Sequence, residues 1–368
     1  MTTLMQASHQ WMSRPNDQRF VSLTELAAHL QSVRENSKSL TISSRAIEAR
    51  PVEGDHRALV VVGPNGAPVA PTHWSFGQLA QRAGAPAGYM RDLPAELAAD
   101  CINYGLQRRE IEDIGVLLRK ETSPDGSPAM ALMAALTGPN YGRIWNTTIA
   151  QKLVSHFGDG ISGRWKVPGE FGKDVAITKE NTTLYASDRD MFVFLADEKN
   201  RIEMPNRRPG LMGSLARGFF VWNSEVGAKS FGVATFLFDY VCCNRIVWGA
   251  EDYAEINIRH TASAPDKWIE EVTPALESYA SASTRSITAA IEQSREKRLD
   301  DVDAFLAKRF TKSQTAAIKA VHLNEEERPI ETLWDAVTGV TAYARSIQHQ
   351  DARVDLERTA GKMLDLAA

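Results

Sequence analysis

The chain has 368 residues, 43% of them hydrophobic and 24% charged, enough apolar material for one large domain or two ordinary ones. Lys and Arg number 42 against 46 Asp and Glu; the formal net charge of −4 excludes a protein that coats nucleic acid by bulk charge, but not local basic patches. No run of about 18 apolar residues occurs, the first residues lack a charged start followed by an apolar core, and Cys101, Cys242 and Cys243 are too few for a disulfide framework, so a cytoplasmic protein that engages no membrane is expected.

Ser22-Leu23-Thr24-Glu25 has the form of a capping box, and Leu23, Leu26, Ala27 and Leu30 follow at helical spacing, which predicts a helix over 23–34. Residues 40–47 and 58–62 read as strands, and Gly63-Pro64-Asn65-Gly66 as the turn of a hairpin into 67–71. A helix from Ser75 ends at Gly84, and Pro86 and Pro94 introduce two more. In outline the three resemble a helix–turn–helix, but plain helical hairpins of this form are far commoner than DNA readers. Strands are expected over 114–119 and 130–136, joined by a turn at 122–127.

Thr137-Gly138-Pro139-Asn140-Tyr141-Gly142-Arg143 then precedes a helix over 147–157. Backbone N–H groups and a guanidinium placed there suit a phosphate, although the Walker spacing is missing and a structural turn uses the same residues. Strands over 182–185 and 191–195 follow, then a polar stretch, 198–213, expected to be a mobile loop.

The organising stretch is 217–260. The runs 218–222 and 231–240 are aromatic and β-branched, and Asn223-Ser224-Glu225-Val226-Gly227 between them has turn chemistry. One more strand is expected at 255–260. From Asp266 the pattern turns helical: Trp268, Ile269, Val272 and Leu276 share a face, a long amphipathic run follows through Ser286 to Leu306, and two last helices are expected over 330–348 and 350–366. The reading is an α+β fold, with a largely antiparallel sheet and flanking helices in residues 1–265 and a helical C-terminal region in 266–368.

Four chemistries come into question. The eight histidines lack metal-ligand spacing and there is no C-x-x-C, so neither metal nor cofactor is expected. Ser224 or Cys243 as a nucleophile, with His260 as base and Asp239 or Glu225 orienting it, is a candidate arrangement without a G-x-S-x-G elbow; Ser224 serves equally as a turn hydroxyl. Asp188, Asp190, Asp239 and Asp252 lie beside apolar runs, where burial would raise their pKa values. Finally, Phe219, Phe220, Trp222, Trp248 and Tyr253 lie among arginines, the combination used to bind single-stranded nucleic acid; an aromatic core edged by surface arginines has the same letters.

The N-S-E-V-G…S-F-G-V segment, Cys243-Asn244 and Arg259-His260 resemble the family known as domain of unknown function 932, found on phages and plasmids. Gln78-Leu79 through Gly84-Ala85-Pro86, Tyr89, Leu93-Pro94, and Leu136 through Tyr141-Gly142-Arg143 extend the resemblance to about 75–265. The chain departs from it at Cys243-Asn244-Arg245, where the family's pattern has Cys-x-Asn-Gly. The resemblance implies a role in DNA transfer, replication, recombination or host-defence evasion. On this reading a non-catalytic protein binds DNA: Arg207, Arg208, Arg217, Lys229, Arg245 and Arg259 meet phosphates, Phe220 and Trp222 stack, and Asn223 and Asn244 hydrogen-bond. The alternatives are an enzyme with a Ser224, Asp239, Cys243 and His260 pocket, or a homo-oligomer assembled through the C-terminal helices.

Overall fold

A computed structural model describes residues 14–120, 130–168, 176–208, 211–239, 245–246 and 256–367. The expected turn at 122–127 lies outside them, as do Cys242, Cys243, Asn244, Trp248, Asp252 and Tyr253.

The fold is α+β, built on two sheets. The first has six strands in the order Ser37–Ser43, Asp113–Arg119, Leu132–Thr137, Pro68–Pro71, Asp55–Val62, Glu48–Val52. Neighbours are antiparallel except Pro68–Pro71 and Leu132–Thr137, which run parallel. The turn at 63–66 closes its hairpin, with Val61 opposite Val69. Helices His73–Ala83, Ala87–Asp92 and Ala95–Arg108 follow their sequence signals closely. Thr72 accepts the N–H of Ser75, and Gly84 takes the left-handed conformation that ends the first of them. Phe76, Leu79, Ile102 and Leu106 are the apolar stripe of this layer and bury against Ala49, Val61 and Ile114 of the sheet.

The second sheet has nine strands. Its main path is Arg19–Phe20, Leu184–Ala186, Met191–Asp197, Leu211–Asn223, Phe231–Asp239, Arg245–Ile246, all antiparallel. Strand side chains alternate between faces, and here both faces are covered. Val193, Leu195, Phe219, Val221, Phe231 and Val233 pack with helix Leu23–Glu35 and with Trp268, Val272 and Leu276. Phe192, Phe194, Phe220, Trp222, Ala234 and Phe236 form the opposite face, closed by Val354 from helix Gln350–Leu364. Burial on both sides is why the sequence reads as an unbroken apolar block rather than an alternation.

Two expectations need correction. Residues 198–213 are not a loop throughout: Ile202–Arg208 is a strand paired with Leu211–Asn223, Ile202 opposite Leu215. Its polar letters hid it, since only Ile202 is seen buried and packed against Leu215 and Leu237. The amphipathic run from Ser286 onward is also broken. Arg285–Glu296, Val302–Ala307 and Lys312–Glu326 are separate helices, because Asp301 caps Ala304 and Thr311 with Gln314 forms a capping box. With Leu333–Ala344 and Gln350–Leu364 they complete the C-terminal helical region, whose core also takes in the sheet residues Ile202, Leu215, Leu237 and Ile246. No helix among the described residues is long and apolar enough to cross a membrane.

Candidate anion-binding site at the meeting of the two sheets

The long strand Leu211–Asn223 leaves its sheet at Asn223, and the following loop reaches the six-stranded sheet. Val226 packs there with Leu117, Ala134 and Ala135, and Trp74 and Trp145 lie against the same cluster. The loop backbone is held from several directions. Trp74 Nε1 and Gln78 Nε2 donate to the Val226 carbonyl at 2.9 and 2.8 Å. Tyr141 donates its hydroxyl to the Ser224 carbonyl at 2.7 Å, and Ser224 Oγ donates to the Arg189 carbonyl at 2.7 Å. Gly227 has φ +82°, a left-handed conformation that explains the glycine ending the motif.

Glu225 is the charged centre of this loop and is buried. Its Oε1 accepts the backbone N–H of Asn146 at 2.7 Å, and its Oε2 accepts from Arg119 Nη2 at 2.6 Å. Asn146 is the first residue of helix Asn146–Phe157, so the carboxylate occupies the positive end of that helix. The phosphate cradle suggested by Tyr141-Gly142-Arg143 is therefore occupied, at this amide, by a carboxylate of the protein itself.

Arg143 has a different environment. It is 9% exposed, and its Nε and Nη1 are buried without a hydrogen-bond partner among the described residues. Its guanidinium carbon lies 5.2 Å from the Tyr141 ring centre and 5.7 Å from that of Trp145. Burial pushes its pKa below the usual guanidinium value, with Tyr141 and Glu225 opposing and Arg119 adding to the shift; an arginine nevertheless stays charged. Two more guanidiniums repeat the arrangement. Arg34 lies 4.0 Å over Trp145, and Arg189 lies 4.6 Å over Trp74.

His260 stacks on Tyr141 with ring centres 4.7 Å apart. Its Nδ1 donates to the Gly142 carbonyl at 3.0 Å while the Gly142 N–H donates to the His260 carbonyl at 3.1 Å. A Cβ on Gly142 would lie 1.8 Å from the Thr261 carbonyl oxygen, so this pairing requires glycine. Burial lowers the His260 pKa and pushes the Tyr141 phenol up, which keeps both neutral. Beside Trp74, burial together with Arg91 and Arg189 lowers His73 to about 4.

The residues singled out in the sequence are distributed differently. Asn223 is buried and donates to the Ile144 carbonyl at 2.8 Å and to Asn146 Oδ1 at 2.7 Å. Arg217 is 3% exposed, donates to the Ala280 and Ala282 carbonyls, and pairs with Asp197 at 3.5 Å, on the side of helix Thr273–Ser281. Phe220 is stacked on Phe194 inside the sheet's second core, and Trp222 is buried there under Arg358. Both rings are covered by the fold, which corrects the expectation that they stack on bases. Lys229 lies 3.5 Å from Asp190 and 4.5 Å from the Phe192 ring centre. Arg259 is exposed. The backbones of Arg207, Arg208, Asp239 and Arg245 belong to strands, but their side chains lie outside the described residues, as do Cys243 and Asn244 altogether.

Ser224 and His260 do come to one place, with Tyr141 bonded to one and stacked on the other. The Ser224 hydroxyl, however, donates to a backbone carbonyl and not to the imidazole, so the serine–histidine bond of a nucleophile is not formed. Asp188 is partly buried near Arg119, Arg189 and Asp190; desolvation raises its pKa, with Asp190 reinforcing and the arginines opposing the shift. Asp190 behaves oppositely: burial alone would raise it, but Arg14 and Lys229 hold it below the ordinary value.

Residues 174–364 match the family described as Domain of unknown function (DUF932). The chain belongs to this family. No curated protein and no solved structure matches it. In this DUF932 chain the matched region begins beyond the upstream segments that carried part of the resemblance, and it runs on through the C-terminal helices, which the resemblance left out. It supplies Arg189, Asn223, Ser224, Glu225 and His260 to the cluster, whereas Arg34, Trp74, Arg119, Tyr141, Arg143 and Trp145 come from outside it. Sequence reasoning found Tyr141, Arg143 and the 223–227 motif. It missed Arg34, Arg119 and Arg189, which carry no local pattern and are brought together from a helix, a strand and a turn far apart in the chain.

Proposed function

We propose that the protein binds nucleic acid without catalysing a reaction on it, handling DNA of a phage or plasmid, single strands in particular, in recombination, replication or transfer within a bacterial cytoplasm. The observation that carries this reading is the set of guanidinium groups laid on aromatic rings around one loop: Arg34 on Trp145, Arg143 between Tyr141 and Trp145, and Arg189 on Trp74. Proteins that hold single strands pair cationic side chains for the phosphates with aromatic rings for the bases. Tyr141, Trp145 and Trp74 are partly exposed, unlike Phe220 and Trp222. The contact surface on this reading is therefore the 74, 141–145 and 189 cluster rather than the strand core, with Arg259 exposed just before His260 as a further phosphate contact. The phage and plasmid setting of the resembling family supports DNA as the polymer.

Fluorescence anisotropy with a labelled single-stranded oligonucleotide tests it. Wild type binds, and Trp145→Ala weakens binding by about 1–3 kcal/mol, the loss expected when one stacking ring is removed. Circular dichroism checks that the variant remains folded. Absence of binding by the folded wild type at low salt would sink the reading.

A further inference from the structure

We infer that Arg143 is the seat of one phosphate-type oxyanion, held at the turn that leads into helix Asn146–Phe157. This deepens the nucleic-acid reading and rests on it for the source of the phosphate.

The inference starts from an electrostatic imbalance. Arg119 has Asp188 and Glu225 near it, whereas Arg143 has Glu225, and both oxygens of that buried carboxylate are engaged: Oε2 by Arg119 and Oε1 by the Asn146 N–H. Arg143 is left nine-tenths buried, with Nε and Nη1 lacking a hydrogen-bond partner among the described residues. A buried charge without a partner is strongly unfavourable. The faces of Tyr141 and Trp145 offset only part of that penalty, since a ring at these distances is a weak counter-charge.

The chemistry of the missing group follows. It is an anion, because the excess charge is positive. It is an oxyanion with several acceptor oxygens, because a guanidinium offers donors in a planar fork that phosphate matches well. Arg34, 4.0 Å above Trp145, adds a further positive charge at the ring that Arg143 also approaches, while the first amide of the helix is already taken by Glu225. Glu225 sets the upper limit on the positive potential, so a single phosphate is the fitting charge.

Calorimetric titration of inorganic phosphate into wild type, Arg143→Met and Arg143→Lys decides the matter. Met has similar length and removes the buried charge, so the fold has no electrostatic reason to fail. Wild type binds phosphate saturably, and Arg143→Met binds it about ten-fold or more weakly, the scale of one lost charge-assisted hydrogen bond. Equal affinity in the two proteins, or no saturable binding by wild type, overturns the inference. Should Arg143→Met not fold, Arg143→Lys decides, since it keeps the charge but loses the fork, and unchanged affinity there overturns the inference too. A parallel arm with a single-stranded oligonucleotide separates the two claims. Phosphate bound through Arg143 with no oligonucleotide binding leaves this site standing and removes the nucleic-acid reading. Oligonucleotide bound equally by wild type and Arg143→Met does the reverse.

Discussion

Arg119 donates to Glu225 across 2.6 Å, joining the edge of the six-stranded sheet's second strand to the hairpin loop of the nine-stranded sheet. The pair is buried on both sides, 11% and 4% exposed, and Glu225 also receives the first amide of helix Asn146–Phe157. One carboxylate therefore ties two sheets and a helix together.

Glu225→Gln should consequently behave as a break in a buried ion pair. It leaves Arg119 without its counter-charge beside Arg143, and a destabilisation of about 3–5 kcal/mol is expected in urea denaturation. A loss below about 1 kcal/mol would show that solvent screens the pair and that the junction is held by the apolar contacts of Val226 instead.

Tyr141→Phe removes only the hydroxyl that donates to the Ser224 carbonyl. About 1 kcal/mol should be lost, with the stacking on His260 retained. Its oligonucleotide affinity should stay near that of wild type, because the ring face is unchanged.

Phe220 and Arg217 give the converse prediction. Phe220→Ala opens a cavity in a closed core and should cost about 3–5 kcal/mol. Arg217→Met frees the Ala280 and Ala282 carbonyls and weakens the hold on Asp197. Neither change should alter oligonucleotide binding by the folded protein. A selective loss of binding in either variant would return those residues to the binding surface.

Acid should destabilise the protein in two stages. His73 and His260 have folded pKa values below the ordinary 6.5, mainly through burial, and His73 falls to about 4. The unfolded chain then binds more protons than the folded one below pH 6.5, so stability is full above 6.5 and declines as pH falls toward 4. Asp190, Asp197 and Asp335 have values depressed below 3.8 despite burial, through Arg14 with Lys229, through Arg164, and through Arg328 respectively. Their contribution is present above 3.8 and disappears as pH falls through the depressed values. A melting-temperature profile that stays flat from about pH 7 to about pH 4 would contradict the histidine stage.

The helices of the first half were legible because their signals are local: Ser22 as a cap, Gly84 as a stop, and apolar residues at helical spacing, although the cap at Thr72 was not read and that helix begins two residues before Ser75. The hairpin at 63–66 was legible for the same reason. Strand Ile202–Arg208 was not, since an edge strand with polar residues and a proline looks like a loop until its partner is known. The site was half legible. Turn chemistry marked 223–227 and 137–143, but a local reading cannot distinguish an arginine whose two amino groups are committed to carbonyls, as in Arg217, from one whose buried Nη1 is unmatched among the described residues, as in Arg143. That difference is set by contacts with residues far away in the chain. The aromatic block around Phe220 misled for a related reason: burial on both faces of a sheet uses the same residue types as a stacking platform.

The central claim is that nucleic acid binds through guanidiniums gathered around the Glu225 loop, and its most direct test is the salt dependence of single-strand affinity in wild type and Arg34→Ala. Arg34 is only partly buried, so its removal should leave the fold intact. A steep fall of affinity with salt is predicted for wild type, with a slope shallower by about 0.7 in the variant, the change expected when one phosphate contact on a single strand is lost. A wild-type affinity indifferent to salt, or an identical slope in both proteins, would contradict it.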